Sequence, residues 1–594
     1  MKKLIYIIAS VFTVISCSEI RFGDEFLGES PESSGADIDT MFNSAVNAEK
    51  VLAKAYTFLP YGLPVNNGGS VPKEGVRAND KMGINIIESL TDLHHSYRAN
   101  ASDGPTNLYY NGSLSSKIAT SFEGTEAYRF GSEYEFYAIR YAWIFIENVH
   151  KVPDMSDGIK RQKAAEAKVI IAIAYSELLK YIGGVPIIDH AVKVNEEFHF
   201  PRATFSETVE FIVKLLDEAQ PHLPWVASYG TDGRMTKSGA MGLKVRVLLH
   251  AASPTFNSDK RWHPLANEYT CYCNYNRERW KRVIDAVDEF FSELKMGGSI
   301  TLVMPEEETH QARQAAFRKA YYERLNGEIL ISTRKGTSAS TLLKSFFEET
   351  NSCGPTLNYV NMFPWADGTE FPEDFNWESP SRQPFFDDEG NPTRDPRLYE
   401  SVAVPGSIWY DGTVAPVHIN HPKYSSPCTG FYQMKFVLNK ASDRSSYVQW
   451  PYLRLSEIYL AYAEALNEYN GMPGTKSYEH INLVRSRVGL KPLSGLTHEQ
   501  FREAVLKERA CELGFEEVRW FDLVRHGRVS DFTKQLYELE SVGNKQNNPT
   551  SFTFKKREIA PRAWVNTWDT KWYLSPVPDK EINMDYGMTQ NPGW

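Results

Sequence analysis

The sequence predicts a mainly α protein, a scaffold of helical hairpins carrying long irregular excursions and few short strands. Three observations predict it. Apolar residues recur at i, i+3, i+4 spacing in segment after segment. Alanines are interleaved on those faces, and small residues let neighbouring helices approach closely, as in stacked hairpins. Two stretches, about 60–131 and 351–430, are rich in Gly, Asn, Ser or Pro and show no helical period.

Taken in order, the chain opens with Lys2 and Lys3 ahead of an almost wholly apolar run from Leu4 to Ser16. That run is too short to span a bilayer comfortably and suits the core of a secretory signal. Residues 1–16 read as a signal peptide and the rest as an exported chain, long enough for several domains; no later stretch reaches the roughly 18 uncharged apolar residues of a membrane span. "VISC" resembles the lipobox of bacterial lipoproteins, with Cys17 as the lipidated first residue of the mature chain.

The clearest helix places Ala167, Ile171, Ala174, Tyr175, Leu178 and Ile182 on one face, with Gly183, Gly184 and Pro186 as its stop. A second carries Ala240, Leu243, Val247, Leu248 and Ala251 before Pro254. A third, over 452–471, carries Leu455, Tyr459, Tyr462 and Leu466 with Ala461, Ala463 and Ala465 between them. The segment 475–490 is a further helix. The next opens on a capping box, Thr497-x-x-Gln500. Strand-like runs are confined to 328–333 and 431–437.

Composition narrows the function. With 42% hydrophobic and 24% charged residues in 594, the chain can bury a large core. A net charge of −10 argues against a nucleic-acid partner, whose footprint would be basic. Six cysteines in this length do not make a disulfide scaffold. With Cys17 lipidated, five remain, so at least one is unbridged. Cys271 and Cys273 stand two apart with no second pair or histidine cluster to complete a zinc site, and Cys511 reads as a small buried hydrophobe.

No catalytic constellation emerges. Glu508, Glu512 and Glu516 fall at i, i+4, i+8, with Glu457 and Glu464 on another helix. Paired carboxylates can hydrolyse glycosides, but with Arg509 and Arg519 nearby a structural ion-pair network is the better reading. His94-His95 and His418-x-x-His421 lack a third ligand, and no H-E-x-x-H, G-x-S-x-G or Walker loop occurs. The run 387–395 lacks the spacing and closing Glu of a calcium loop and reads as a turn. No metal or cofactor is expected.

Several segments resemble one family. "YLRLSEIYLAYAEALN", "INLVRSRVGL", "LKERACELGFEEVRWFDLVRHG" and "WYLSPVPDKEINMDYGMTQNPGW" are similar, in that order, to signature segments of the SusD/RagB family of Bacteroidetes nutrient-uptake lipoproteins. "AYSELLKYIGGVPII" and "GLKVRVLLHAASPTFN" resemble its tetratricopeptide-like helices, and "GEILIST" followed by "DPRL" its middle. The resemblance implies a single SusD-like domain over 17–594, with the excursions about 60–131 and 351–430 on its ligand face, that is not an enzyme and is anchored at the cell surface in the outer membrane. Its helices would pack on a SusC-type TonB-dependent transporter, and its excursions would capture an oligosaccharide or, as an alternative, a peptide. A surface glycoside hydrolase is the reading from another class.

A sugar offers an apolar C–H face for aromatic stacking and an edge of hydroxyls for Asp, Asn and Arg. Residues 90–112 supply Asp92, Tyr97, Arg98, Asn100 and Tyr110; residues 362–377 supply Trp365, Asp367 and Trp377. The competing reading is that these aromatics anchor long loops to the core. Trp520, Trp564, Trp568 and Trp572, among the signature segments, are expected in the core.

Overall fold

The computed structural model describes residues 38–62, 87–97, 109–117, 135–193, 195–334, 353–409, 412–424, 426, 428–437 and 449–594. The signal segment, Cys17, Arg98 and Asn100 lie outside them.

Six helices follow in chain order: α1 (Ala45–Thr57), α2 (Glu135–Asn148), α3 (Asp157–Ile182), α4 (Phe205–Ala219), α5 (Lys237–Ala252) and α6 (Glu278–Gly297). Each packs against the next, so consecutive hairpins stack as the interleaved alanines predict. α3 begins on Ser156, whose side chain accepts the Ile159 N–H, and stops at Gly183 in the left-handed region (φ 92°). A Cβ on the following Gly184 would lie 2.2 Å from the Ala203 carbonyl oxygen, so this approach to the start of α4 needs glycine. From Ala165 to Leu179 nearly every face of α3 is buried, because α2 and α4 cover opposite sides.

After α7 (His310–Tyr322) the chain forms β2, Ile329–Thr333. β1 (His94–Ser96) precedes it in sequence and pairs antiparallel with β3 (Cys353–Pro355). β2 pairs antiparallel with β6 (Trp450–Arg454) through an irregular register, and this ribbon lies on α5 at Gly242, where a Cβ would meet Leu330 and Leu453 at 2.9 Å. The predicted helix over 452–471 therefore starts only at Leu455, as α8 (Leu455–Asn470). Pro451 is a poor helix residue ahead of it, and pairing with β2 holds Tyr452–Arg454 extended. Likewise only Tyr432–Gln433 of the expected strand 431–437 pairs, as β5 with β4 (Val402–Ala403); the chain then turns at Phe436, φ 69°.

α9 (Thr475–Arg487) and α10 (His498–Leu513) fold back on α8 around a second small core of Leu460, Ala463, Ile481, Val484, Phe501 and Val505. The capping box at Thr497 and Gln500 forms as predicted. α11 (Arg519–Arg525) leads to a hairpin absent from the sequence reading, β7 (Tyr537–Gly543) against β8 (Phe552–Glu558), in continuous register from Tyr537↔Glu558 to Gly543↔Phe552. Trp520, Trp564 and Trp572 are buried and Trp568 partly so, all packed with the main core. The architecture is the mainly α, hairpin-stacked one that the periodicity predicts. Among the described residues no helix is long and apolar enough to cross a membrane.

Candidate functional site

The second excursion is held by aromatic rings that extend the main core. Trp365, Phe371, Phe375, Trp377 and Phe385 pack ring to ring at centroid separations of 4.7–6.0 Å, and Trp377 reaches Phe554 of β8 at 6.1 Å. Trp365 is 6% exposed and Trp377 4%. Neither presents a free face for a sugar, which corrects the expectation placed on them. A segment with so little regular structure stays ordered only by burying apolar surface, and these rings are what it has. Arg382 stacks over Trp365 at 4.1 Å and pairs with Asp367 at 3.0 Å. Asp367 is exposed but held by its own turn: Thr369 donates both its N–H and its hydroxyl, and with Arg382 this keeps the carboxyl down at about 2.

The first excursion is corrected in the same way at two positions. Asp92 is fully buried, bidentate on Arg519 (3.0 and 2.9 Å) and bonded to Lys534 at 2.6 Å. Burial alone would raise its pKa; the two cations override this and hold it well below the carboxylate range. Tyr110 is also buried. It donates to the Ser89 carbonyl and accepts the Ser96 N–H, between the stacked His95 ring and Arg562 at 4.5 Å.

Glu508 and Glu512 of α10, with Glu516 just beyond it, lie in the seam between helices and excursion. Arg454 bonds Glu328 and Glu512, each at 2.9 Å, and Glu516 at 2.7 and 2.8 Å. Arg487 bridges Glu328 and Glu512, Arg397 bridges Asp395, Glu508 and Glu512, Arg485 pairs with Glu508, and Lys435 with Glu516. The partners thus come from distant segments. Of the two arginines expected beside them, Arg509 pairs with Asp522 and reaches Glu457 at 3.6 Å, while Arg519 pairs with Asp92. Against the penalty of burial, Arg487, Arg454 and Arg397 keep Glu512 ionised far below its ordinary pKa. A glycosidase needs one carboxyl with a raised pKa, and Glu508 and Glu512 are both held the other way by their arginines. A cavity of ≈50 Å³ beside this seam, lined by Lys180, His250, Arg509 and Arg525 among others, has room for about three or four waters and not for a sugar ring.

Among the described residues, partly exposed aromatic and acidic side chains also meet in a corner at the edge of the excursions. Tyr97, half-buried beyond β1, donates its hydroxyl to Glu538 on the outer face of β7, 441 residues away. Tyr424, also half-buried, bonds the Cys428 thiol and feels the same Glu538 carboxylate. Burial first, and then these acidic neighbours, raise both phenols well above their ordinary pKa, so both stay protonated. Two partly exposed aromatic rings beside a carboxylate match a sugar's apolar face and hydroxyl edge. Tyr97 was legible in the sequence. Tyr424 and Glu538 were missed, although Tyr424 lies inside the second excursion and the alternation of "YELESVG" turns Glu538 to the outer face of a strand.

Comparison with known proteins agrees with the fold. A profile described as the SusD family matches residues 332–594, and one described as starch-binding, associating with outer membrane, matches residues 25–249. A SusD-like protein of Formosa agariphila is 24% identical over 426 residues, 66% of this chain and 72% of that one; another from the same organism is 33% identical over 162 residues, 26% and 27% of the two chains. Among solved structures, a SusD-like protein of Bacteroides fragilis superposes with TM-score 0.71 at 21% identity, covering 95% of this chain and all of that one. A SusD-like carbohydrate-binding protein from the same species gives 0.67 at 21%, covering 92% and 99%. A laminarin-binding SusD-like protein gives 0.54 at 18%, covering 93% and 100%. With both of its ends matched by the family's profiles and its whole fold shared with solved members, the chain belongs to the SusD/RagB family.

Proposed function

We propose that this chain is a non-catalytic glycan-binding lipoprotein of the outer-membrane surface, held there through Cys17, which captures oligosaccharides and delivers them to a SusC-type TonB-dependent transporter. The observation that carries the binding reading is the corner of Tyr97, Tyr424 and Glu538: half-exposed aromatic faces beside a carboxylate, at the edge of both excursions. Glu508, Glu512 and Glu516, each paired with arginine in the seam, support the absence of hydrolysis. The extracellular face and the transporter partnership rest on family membership and on the lipobox-like "VISC". Affinity for one chain is weak, because a few stacked rings and solvent-facing hydrogen bonds must offset the cost of ordering the ligand.

The test is a glycan array and a peptide pool probed with the wild type, Tyr424→Ala and Glu538→Gln. The wild type should bind β- or α-glucan-type oligosaccharides and not peptides, each variant at least about tenfold more weakly. Undiminished glycan binding in both variants would remove the corner as the site. Release of sugar from polysaccharide by the purified protein would overturn the non-catalytic reading.

A further inference from the structure

Cys271 and Cys273 take no part in the corner or the seam. They sit in the loop between α5 and α6, and their sulfurs are 3.1 Å apart, one thiol hydrogen-bonding the other. The intervening Tyr272 is pinned. Its N–H donates to the Phe256 carbonyl, its ring meets Phe205 edge-on at 5.3 Å, and Arg279 covers it at 3.6 Å. Cys273 has a left-handed backbone, φ 57°, unusual for a side-chain-bearing residue and found where the surroundings over-determine the chain. That turn brings the two sulfurs to the same side. Cys271 is buried and Cys273 half-exposed, so Cys273 is the more accessible of the two to a reagent in solvent.

We propose that Cys271 and Cys273 are a disulfide-forming pair, closed by thiol–disulfide exchange with an external disulfide donor. The thiolate of Cys273 attacks a donor R–S–S–R, giving a mixed disulfide and releasing RS⁻. Cys271, losing its proton to solvent, then attacks the Cys273 sulfur, expels the second RS⁻ and closes the ring. Two electrons and two protons pass from the cysteine pair to the donor, which leaves as two thiols. Closing 3.1 Å to the roughly 2 Å of an S–S bond takes about 1 Å of movement. Burial and the neighbouring thiol push Cys271 up to about 12, so it does not react first; the half-exposed Cys273 is the point of attack.

The site is well placed. In the same loop the Tyr269 carbonyl accepts the Gly184 N–H beyond α3, the Glu268 carbonyl accepts the Phe205 N–H that opens α4, and the Tyr272 N–H holds Phe256 beyond α5. A clip here fastens the loop on which three helix ends converge.

The test is differential alkylation of the folded protein after exposure to glutathione disulfide. Trypsin releases Trp262–Arg277, which contains both cysteines and no other. The peptide should appear unalkylated and lighter by two hydrogens than the dithiol, and should take up two alkyl groups only after reduction. Cys271→Ser should instead trap glutathione on Cys273. Two alkylated thiols without reduction, or stable glutathionylation of the wild-type peptide, would overturn the proposal.

Discussion

The helix stack α3–α6 and the excursion 353–437 are held by different forces. In the stack, Ile171, Leu178, Leu243 and Val247 fill interfaces between sequence neighbours, and small residues set the spacing. The excursion closes through rings packed on one another and is joined to β6, α9 and α10 by a network of five cations and five carboxylates with almost no exposure. Apolar interfaces lose stability in proportion to the atoms removed. A buried ion network loses it abruptly, because removing one charge leaves its partners desolvated and alone.

That contrast can be broken by substitution. The largest effect is expected for Arg454→Ala, which leaves Glu328, Glu512 and Glu516 short of a partner at once. A loss of about 5 kcal/mol in denaturant unfolding, at the upper end for buried pairs, is expected. A loss like that of a surface pair, under about 1 kcal/mol, would mean that the seam is wet. Trp377→Ala should cost about 3 kcal/mol through the cavity it leaves among Phe375, Phe385 and Phe554. Its melting temperature should fall with it, whereas a ring serving only as a binding platform would leave stability unchanged. The smallest effect belongs to the helices: Thr497→Ala should cost about 1 kcal/mol by removing the cap of α10.

The same contrast explains what was legible. Helical period, caps and stops depend on residues a few positions apart, so α3, α5, α9 and α10 could be read with the capping box at Thr497. Residues 452–454 continue the helical period of α8 yet form part of β6, because the pairing with β2 that holds them extended links positions as distant as 329 and 454. The roles of Asp92, Trp365 and Trp377 could not be read for a related reason. An aromatic in a proline-rich run looks the same whether its face is open or covered, and an aspartate near a tyrosine looks the same whether it meets a sugar or Arg519. Only the distant partner decides.

The Asp92–Arg519 and Asp92–Lys534 bonds close loops of 427 and 442 residues. During synthesis from the N-terminus, the α3–α6 hairpins can assemble as they emerge, because their contacts are local. The seam cannot, because Glu328 waits for Arg454 and Arg487, and Asp92 waits for Lys534. Ordering falls into an early local phase and a late one of high contact order. A chain cut short before Arg454 would carry the α3–α6 hairpins but leave Glu328 without Arg454 and Arg487, and such a fragment invites proteolysis.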